Sequence, residues 1–316
     1  MDTNYLVTGG AGFIGSHLVE ELLQMGKSVS IMDNLSSGLS KNIPSRANFL
    51  QKDIRDYKDC LRATSGMDVV FHMAALRTVA KSFENPDDYF NVNIVGTHNI
   101  LKAATENKVR MVIFSSSSSV YGNALKFPQE EGDIERPMSP YSITKLAGEH
   151  LCRLFSLVFG LNTASLRYFN VFGERQPLAS DYAVVIPKFI TNIIKGEPLP
   201  VFGTGKQVRD FTYVKDVVEA NILASNRYEI CGGEVFNIAG GSQTTILELV
   251  DILNKKMNKN CPFKHLPERL ADVFRTEASI KRAEKFLGYK VNYGFDYGID
   301  RTIEFFKKEV ADGTIK

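Results

Sequence analysis

The sequence predicts an α/β fold, a doubly wound parallel sheet with a smaller C-terminal α/β domain, on three observations. Short apolar runs alternate with helical patterns through the first two-thirds of the 316 residues, as βαβ units do. The first apolar run leads directly into a glycine cluster, "TGGAGFIG" (Thr8 to Gly15), which opens an amphipathic helix. Beyond Phe172 the rhythm loosens, because Gly173, Pro177, Gly196, Pro198, Pro200, Gly203 and Gly205 interrupt it. We therefore expect one domain over residues 1–170 and a second, smaller one over 171–316, with part of the later chain returning to the first.

Taken in order, the predicted strands are Tyr5 to Thr8, Ser28 to Met32, Asn48 to Gln51, Asp68 to His72, Arg110 to Ser115 and Thr163 to Tyr168. Most are β-branched or aromatic and apolar on both faces, which suits strands covered by helices above and below. Between the first two, Ile14, Leu18 and Leu22, with Val19 and Leu23, form a helical stripe. Longer helices are expected over 88–106 and 141–159. No internal repeat is visible, and the only low-complexity tract is "FSSSSSVYG", Phe114 to Gly122.

Composition narrows the class. With 44% hydrophobic and 23% charged residues, and no run of eighteen apolar residues, the chain reads as globular and not membrane-spanning. The N-terminus lacks the basic, apolar and cleavage regions of a signal peptide, so a cytoplasmic location is expected. The net charge of +2, from scattered Lys and Arg, gives no footprint for nucleic acid. Cys60, Cys152, Cys231 and Cys261 are far apart and lack metal-ligand spacing, so we expect reduced, structural thiols and no metal. His72, at the end of an apolar run, reads as a packed strand-end residue and not as a base.

The glycine cluster carries more information in its context. Gly10, Gly12 and Gly15 fit G-x-G-x-x-G, and Gly9, Gly12 and Gly15 fit a variant with wider first spacing. Either allows a tight turn and close approach of backbone to a pyrophosphate at a helix N-terminus, with Phe13 and Ile14 in its first turn. A glycine-rich turn alone need not bind anything. Here, however, the second strand ends at Asp33, eighteen positions past Gly15, where an acid hydrogen-bonds an adenosine ribose and repels a 2′-phosphate. Asn34, and not Arg, follows it, which favours NAD. Asp53 and Ile54 after the third strand are placed to hold the adenine. The fourth strand ends in "HMAAL", whose Met73, Ala74 and Ala75 let a cofactor lie close to the backbone. The sheet is thus expected to be of Rossmann type.

Serine tracts usually signal solvated linker. This one follows a buried strand and precedes "PYSITK" (Pro140 to Lys145), in which Tyr141 and Lys145 share one helix face at i, i+4. Such a pair is common on helix surfaces by chance. Beside the carboxyl edge of a nucleotide-binding sheet, where ligands sit in this architecture, it reads as a site.

Together, Gly9/Gly12/Gly15, the strand-end serines and Tyr141-x-x-x-Lys145 resemble the extended short-chain dehydrogenase/reductase family. Within it the chain resembles nucleotide-sugar epimerases and dehydratases, most closely UDP-hexose 4-epimerases. The similarity runs through "DNLSSG" (Asp33 to Gly38, with Ser37), Asn93 in "NVNIVGT", "RYFNVFGERQ" (Arg167 to Gln176), "VIPKF" (Val185 to Phe189) and "VRDFTYVKDVV" (Val208 to Val218). The resemblance implies that Tyr141 is the acid/base, that Lys145 anchors the nicotinamide ribose and lowers the tyrosine pKa, and that Ser117 holds the reacting hydroxyl. It adds Ser37, Gly38, Arg77, Asn93, Ser115 and Tyr168 to the cofactor side. A free tyrosine is ionised to only about one part in a thousand at pH 7, an offset of about 4 kcal/mol. An ammonium at ~4 Å, with an effective dielectric near 20, contributes about the same.

For the substrate, the resemblance implies that Ser117, Ser118, Tyr141, Asn170, Val185, Arg209, Arg269 and Asp272 meet a UDP-sugar. Dehydratases and decarboxylases of the family carry acids between the catalytic Ser/Thr and the tyrosine of "VYG"; here Ser118 and Ser119 stand instead, which favours epimerisation at C4. Four positions after Asp272, Thr276 replaces a bulky tyrosine that excludes N-acetyl sugars, so UDP-GlcNAc/UDP-GalNAc is expected beside UDP-glucose/UDP-galactose. Ala271 stands where the family has Gly, and Ser279 where it has Asp. A UDP-glucuronate 4-epimerase or another sugar-nucleotide oxidoreductase is the alternative enzyme; a non-catalytic NAD-binding sensor is the more distant one. The resemblance also implies a homodimer joined through the two long helices.

Overall fold

Alternate residues along each central strand feed two different cores, and this explains why most of the strands carry apolar residues on both faces. The computed structural model describes residues 3–178, 184–227 and 232–315. A seven-stranded, all-parallel sheet is built from β1 (Asn4–Thr8), β2 (Ser28–Asp33), β3 (Asn48–Gln51), β4 (Val69–His72), β5 (Met111–Ser117), β6 (Asn162–Tyr168) and β11 (Gly232–Ile238). Tyr5, Val7, Val69, Phe71, Met111 and Ile113 point to one face, beneath α1 (Phe13–Gln24) and α8 (Val214–Ser225). Leu6, Val70, Val112 and Phe114 point to the other, beneath α2 (Tyr57–Thr64), α5 (Gly96–Glu106) and α6 (Pro140–Phe159).

The strand order is β11-β6-β5-β4-β1-β2-β3. The order reverses between β1 and β4, and the crevice at their carboxyl ends is where ligands bind in such sheets. The six predicted strands are all present, displaced by at most a residue or two at their ends. The helix expected over 88–106 begins earlier, as α3 (Val79–Glu84) and α4 (Pro86–Tyr89). It then passes through a π-helical stretch, Phe90–Val95, into α5. The helix expected over 141–159 is α6. Pro140 sits in its first turn, Ser139 and Ser142 form a reciprocal capping box, and Gly160 ends it at φ 70°.

The smaller C-terminal part has its own core, in which Phe172, Phe189, Ile190, Leu199, Phe211, Tyr213, Leu249 and Phe306 are buried. Three strand pairs frame it: β7 (Val171–Phe172) with β10 (Thr212–Tyr213), β8 (Leu199–Phe202) with β13 (Phe263–Leu266), and β9 (Val208–Asp210) with β12 (Gln243–Thr245). Helices α7 (Val185–Lys195), α9 (Ile246–Met257), α10 (Lys281–Leu287) and α11 (Gly294–Ala311) complete the described elements. Cys60, Cys152 and Cys261 are buried and unbridged, whereas Cys231 lies outside the described residues. Among the described residues no helix is long and apolar enough to cross a membrane.

Candidate active site

A cavity of about 630 Å³ crosses the carboxyl edge of the sheet. At one end the turn after β1 is fixed by Gly9, in left-handed backbone at φ 69°. Its N–H donates to Met32 (2.8 Å), and its carbonyl accepts from Gly12 (3.0 Å). A Cβ on Gly9 would meet the backbone nitrogen of Ala74 at 2.8 Å, so only glycine fits there. The first turn of α1, at Phe13 and Ile14, lines the cavity with backbone N–H groups that a helix leaves unpaired. Asp33 is buried and braces this turn, Oδ2 accepting from Ala11 N (3.0 Å) and Oδ1 from Leu35 N (2.8 Å). A Cβ on Gly38 would fall on that carboxylate, which explains the glycine without giving it a place on the cavity wall. This glycine cradle, with a buried acid at its rim, fits a dinucleotide.

Other expected residues sort themselves around it. Asn34, Ser37, Asp53, Ile54, Met73, Ala74, Ala75 and Tyr168 line the cavity. Asp53 is engaged by Arg55, at 3.0 and 2.7 Å, and by Asn34 at 2.9 Å, and the Arg55 hydrogen bonds draw its carboxyl down to about 2. Asn93 does not reach the cavity. From the π-helical stretch its amide accepts from Leu76 N (2.8 Å) and donates to Leu76 O (2.9 Å) and Thr144 Oγ1 (3.0 Å), so it fastens the 76–78 loop to α6. That loop carries Arg77, which lines the cavity and whose charge bears on Tyr141. His72 is buried between Thr8 Oγ1 (2.8 Å) and Thr97 Oγ1 (3.0 Å), and burial drives its imidazole down to about 3. It is a neutral packing residue.

The serine run forms the floor of the middle of the cavity. Ser115, Ser116 and Ser117 end β5, and Ser118 and Ser119 turn away in a short 3-10 segment, Ser118–Tyr121. Ser117 accepts from Ser119 N (3.2 Å), and its side chain favours ionisation of the nearby Tyr141 phenol. Lys145 Nζ donates to the Ser115 carbonyl (2.7 Å) and lies 5.9 Å from the centre of the Tyr141 ring. Burial dominates both titrations: it raises the phenol of Tyr141, against the lowering effect of Ser117 and Arg77, and brings Lys145 down to about 8.

Towards the C-terminal part, Asn170, Arg209, Asp272 and Thr276 line the far end. An adjoining pocket shares Asn170, Arg209 and Asp272 and adds Val185 and Arg269. Arg209 pairs with Asp272 at 2.5 Å, and the Arg269 guanidinium stacks 3.8 Å above the Phe202 ring. Thr276 is buried, its hydroxyl accepting from Asn170 Nδ2 (2.8 Å) and Asp210 N (3.3 Å). Ala271 has φ 56°, the region that glycine takes freely and that costs another residue about 1 kcal/mol. Ser279 joins backbone pairing to Gln129 and has no carboxylate to place. Sequence reading overlooked Gln176, which lines both pockets; its only signal was the "GERQ" tetrad.

Comparison with known proteins places these features in a family. Residues 5–239 match the model described as the NAD dependent epimerase/dehydratase family. A UDP-glucose 4-epimerase of Thermotoga maritima, solved with UDP-glucose, superposes with a TM-score of 0.92 at 36% identity, over 98% of this chain and 100% of that one. A UDP-N-acetylglucosamine 4-epimerase of Methanobrevibacter ruminantium, in complex with UDP-N-acetylmuramic acid, gives 0.92 at 37%, over 98% and 99%. A UDP-glucuronic acid 4-epimerase of Bacillus cereus, with UDP-glucuronic acid and NAD, gives 0.90 at 32%, over 97% and 99%.

Proposed function

Because the chain belongs to the NAD dependent epimerase/dehydratase family, we propose that it inverts C4 of a UDP-hexose, UDP-glucose/UDP-galactose and UDP-GlcNAc/UDP-GalNAc, through a 4-keto sugar. The observation that carries this reading is the serine edge itself. Tyr141, Ser117 and Lys145 line one cavity, with Lys145 Nζ fixed on the Ser115 carbonyl, and Ser118 and Ser119 stand where an eliminating enzyme needs an acid. NAD, held by the glycine turn and Asp33, supplies the hydride acceptor and donor at C4. Tyr141 takes the C4 hydroxyl proton and returns it, Ser117 orients that hydroxyl, and Lys145 keeps a positive charge beneath the pair. Arg209 and Arg269 suit a diphosphate. The division of labour we propose puts the cofactor on residues 1–170 and the nucleotide sugar on 171–316.

A substrate panel tests it: UDP-glucose, UDP-GlcNAc and UDP-glucuronate, with C4 epimers resolved by NMR. Turnover of the neutral sugars is expected; turnover of the acid alone means a UDP-glucuronate 4-epimerase, a reading that Arg77 beside Tyr141 would then support.

Thr276→Tyr tests the sugar preference. The new ring fills the wall opposite C2 and breaks the same Asn170 and Asp210 contacts for every substrate, so the ratio is the readout. Turnover of UDP-GlcNAc relative to UDP-glucose is expected to fall about a hundredfold. An unchanged ratio removes Thr276 from specificity. The pH profile tests Lys145. The ammonium is the working form and its pKa is lowered to about 8, so turnover is expected to decline as pH rises through about 8. A flat profile up to pH 10 would contradict the role.

A homodimer is part of the same reading. Ile143, Leu154, Leu157, Val158 and Phe159 on α6, with Phe90 and Val95 on the neighbouring helical stretch, are exposed apolar residues on the two long helices.

A further inference from the structure

Helix α6 grips the serine edge at three successive turns, and only two of these belong to the reaction as described. Tyr141 lines the cavity with Ser117, and Lys145 meets the Ser115 carbonyl at 2.7 Å. One turn further, Glu149 is buried and its Oε1 accepts from the Ser116 hydroxyl at 2.5 Å. The same carboxylate receives Arg167, Nε on Oε1 at 2.9 Å and Nη2 on Oε2 at 2.7 Å. Arg167 is the register partner of Ser116 on the adjacent strand β6, and it is almost wholly buried. Its Nη2 also reaches Glu135 (2.7 Å), and its guanidinium lies 4.6 Å above the Tyr121 ring. Helix α6, β5 and β6 are thus bolted together by one ionic group directly beneath the reacting residues.

A buried ion pair is a poor way to gain stability, because well-packed apolar residues of similar volume do as well or better. What it does supply is direction. The carboxylate sets where the Ser116 side chain lies, and with it the backbone that presents Ser115 and Ser117 on either side.

We propose that Glu149, acting through Ser116 and Arg167, is a positioning residue that holds the serine edge in the register Tyr141 and Lys145 require and keeps Lys145 an ammonium. This rests on the reading of the site as a C4 epimerase. Burial works against the Lys145 charge, and Cys152 and Glu149 favour it, Glu149 standing one turn on at i, i+4 of the same helix. The other neighbours bring no anion: His72 from β4 is neutral, Phe114 from β5 offers its ring at 5.1 Å, and Tyr141 offers its ring at 5.9 Å.

Two variants test the proposal. Ser116→Ala removes one hydroxyl and leaves the ion pair; kcat is expected to fall about tenfold while KM for the UDP-sugar stays within about twofold, and Ser116→Thr restores most of the loss. Glu149→Gln keeps the acceptor oxygen and removes the charge, so the alkaline limb of kcat is expected to move about one pH unit lower. Wild-type kcat in Ser116→Ala, or an unmoved limb in Glu149→Gln, overturns the proposal. If Glu149→Gln does not fold, Ser116→Ala and its Thr rescue decide it. If the wild-type protein turns over no UDP-sugar, the functional reading has failed, and NAD affinity against pH decides the clamp separately. Its alkaline loss shifts lower in Glu149→Gln if Glu149 sustains the Lys145 charge, and stays in place if it does not.

Discussion

Tyr141→Phe lowers kcat by about 10³-fold in both directions and leaves UDP-sugar and NAD affinity within severalfold. The substitution deletes one oxygen. The ring remains, edge-on to Tyr89 with centroids 6.4 Å apart, and it stays buried in the first turn of α6 behind its capping box. The fold therefore has no reason to change. What disappears is the phenol oxygen that, on the proposed reading, accepts the proton of the C4 hydroxyl. Forward and reverse rates fall together because the same group takes the proton in one direction and returns it in the other. NMR assay of both epimers, with binding measured by calorimetry, checks it. Activity within about threefold of wild type would mean that another group moves the proton.

Gly15→Ala acts on the other partner of the site. A Cβ at Gly15 would press on the Gly9 carbonyl oxygen, with the Gly10 Cα at 2.9 Å and the Gly9 carbonyl carbon at 3.0 Å. Every one of these atoms is backbone, so no rotamer relieves the contact, and α1 must draw away from the turn. Its first-turn N–H groups then no longer point where a pyrophosphate lies. NAD affinity is expected to fall at least about a hundredfold, with a loss of about 1–3 kcal/mol in stability. Gly12→Ala is the internal comparison, since its Cβ would meet only the Gly9 carbonyl oxygen at 3.1 Å, which a small shift relieves. A titration with NAD and a denaturant midpoint for each variant measure both effects. Equal losses in the two would show that packing of α1 against the turn is not what sets affinity.

How much of this was legible in sequence depended on how local the signal was. Strands β1 to β6 were legible because Tyr5, Leu6 and Val7 must be apolar in succession when two cores share one strand. The glycine turn and the Tyr141–Lys145 pair were legible because their spacing is itself the geometry. The substrate side was less so. Asn170 and Thr276 touch across 106 positions, and Asp210 binds the backbone of Ala278 across 68, distances at which no pattern within a short window survives. The π-helical stretch was also invisible, because Phe90 to Val95 differ from ordinary helix in backbone pairing, to which no side-chain periodicity points, and Asn93 bonds Leu76 and Thr144 from far along the chain. The bond of Lys145 to the Ser115 carbonyl was likewise invisible, because the i, i+4 spacing says which face the ammonium shares and not which acceptor on β5 it meets.

The return of β11 to the first sheet has a consequence for anyone who would cut this protein in two. Residues 232–238 pair along the whole of β6, from Thr163 to Tyr168, and so cap the strand that carries Arg167. A fragment ending at residue 170 would keep every group that faces the cofactor and still lose that cap. It would present the unpaired backbone edge of the seven-residue strand β6 to other molecules, and such edges recruit further strands. The division of roles proposed for the two halves therefore does not make them separable as polypeptides. The fragment is expected to precipitate, and adding back the 232–238 segment, by fusion through a short linker, is expected to keep it in solution.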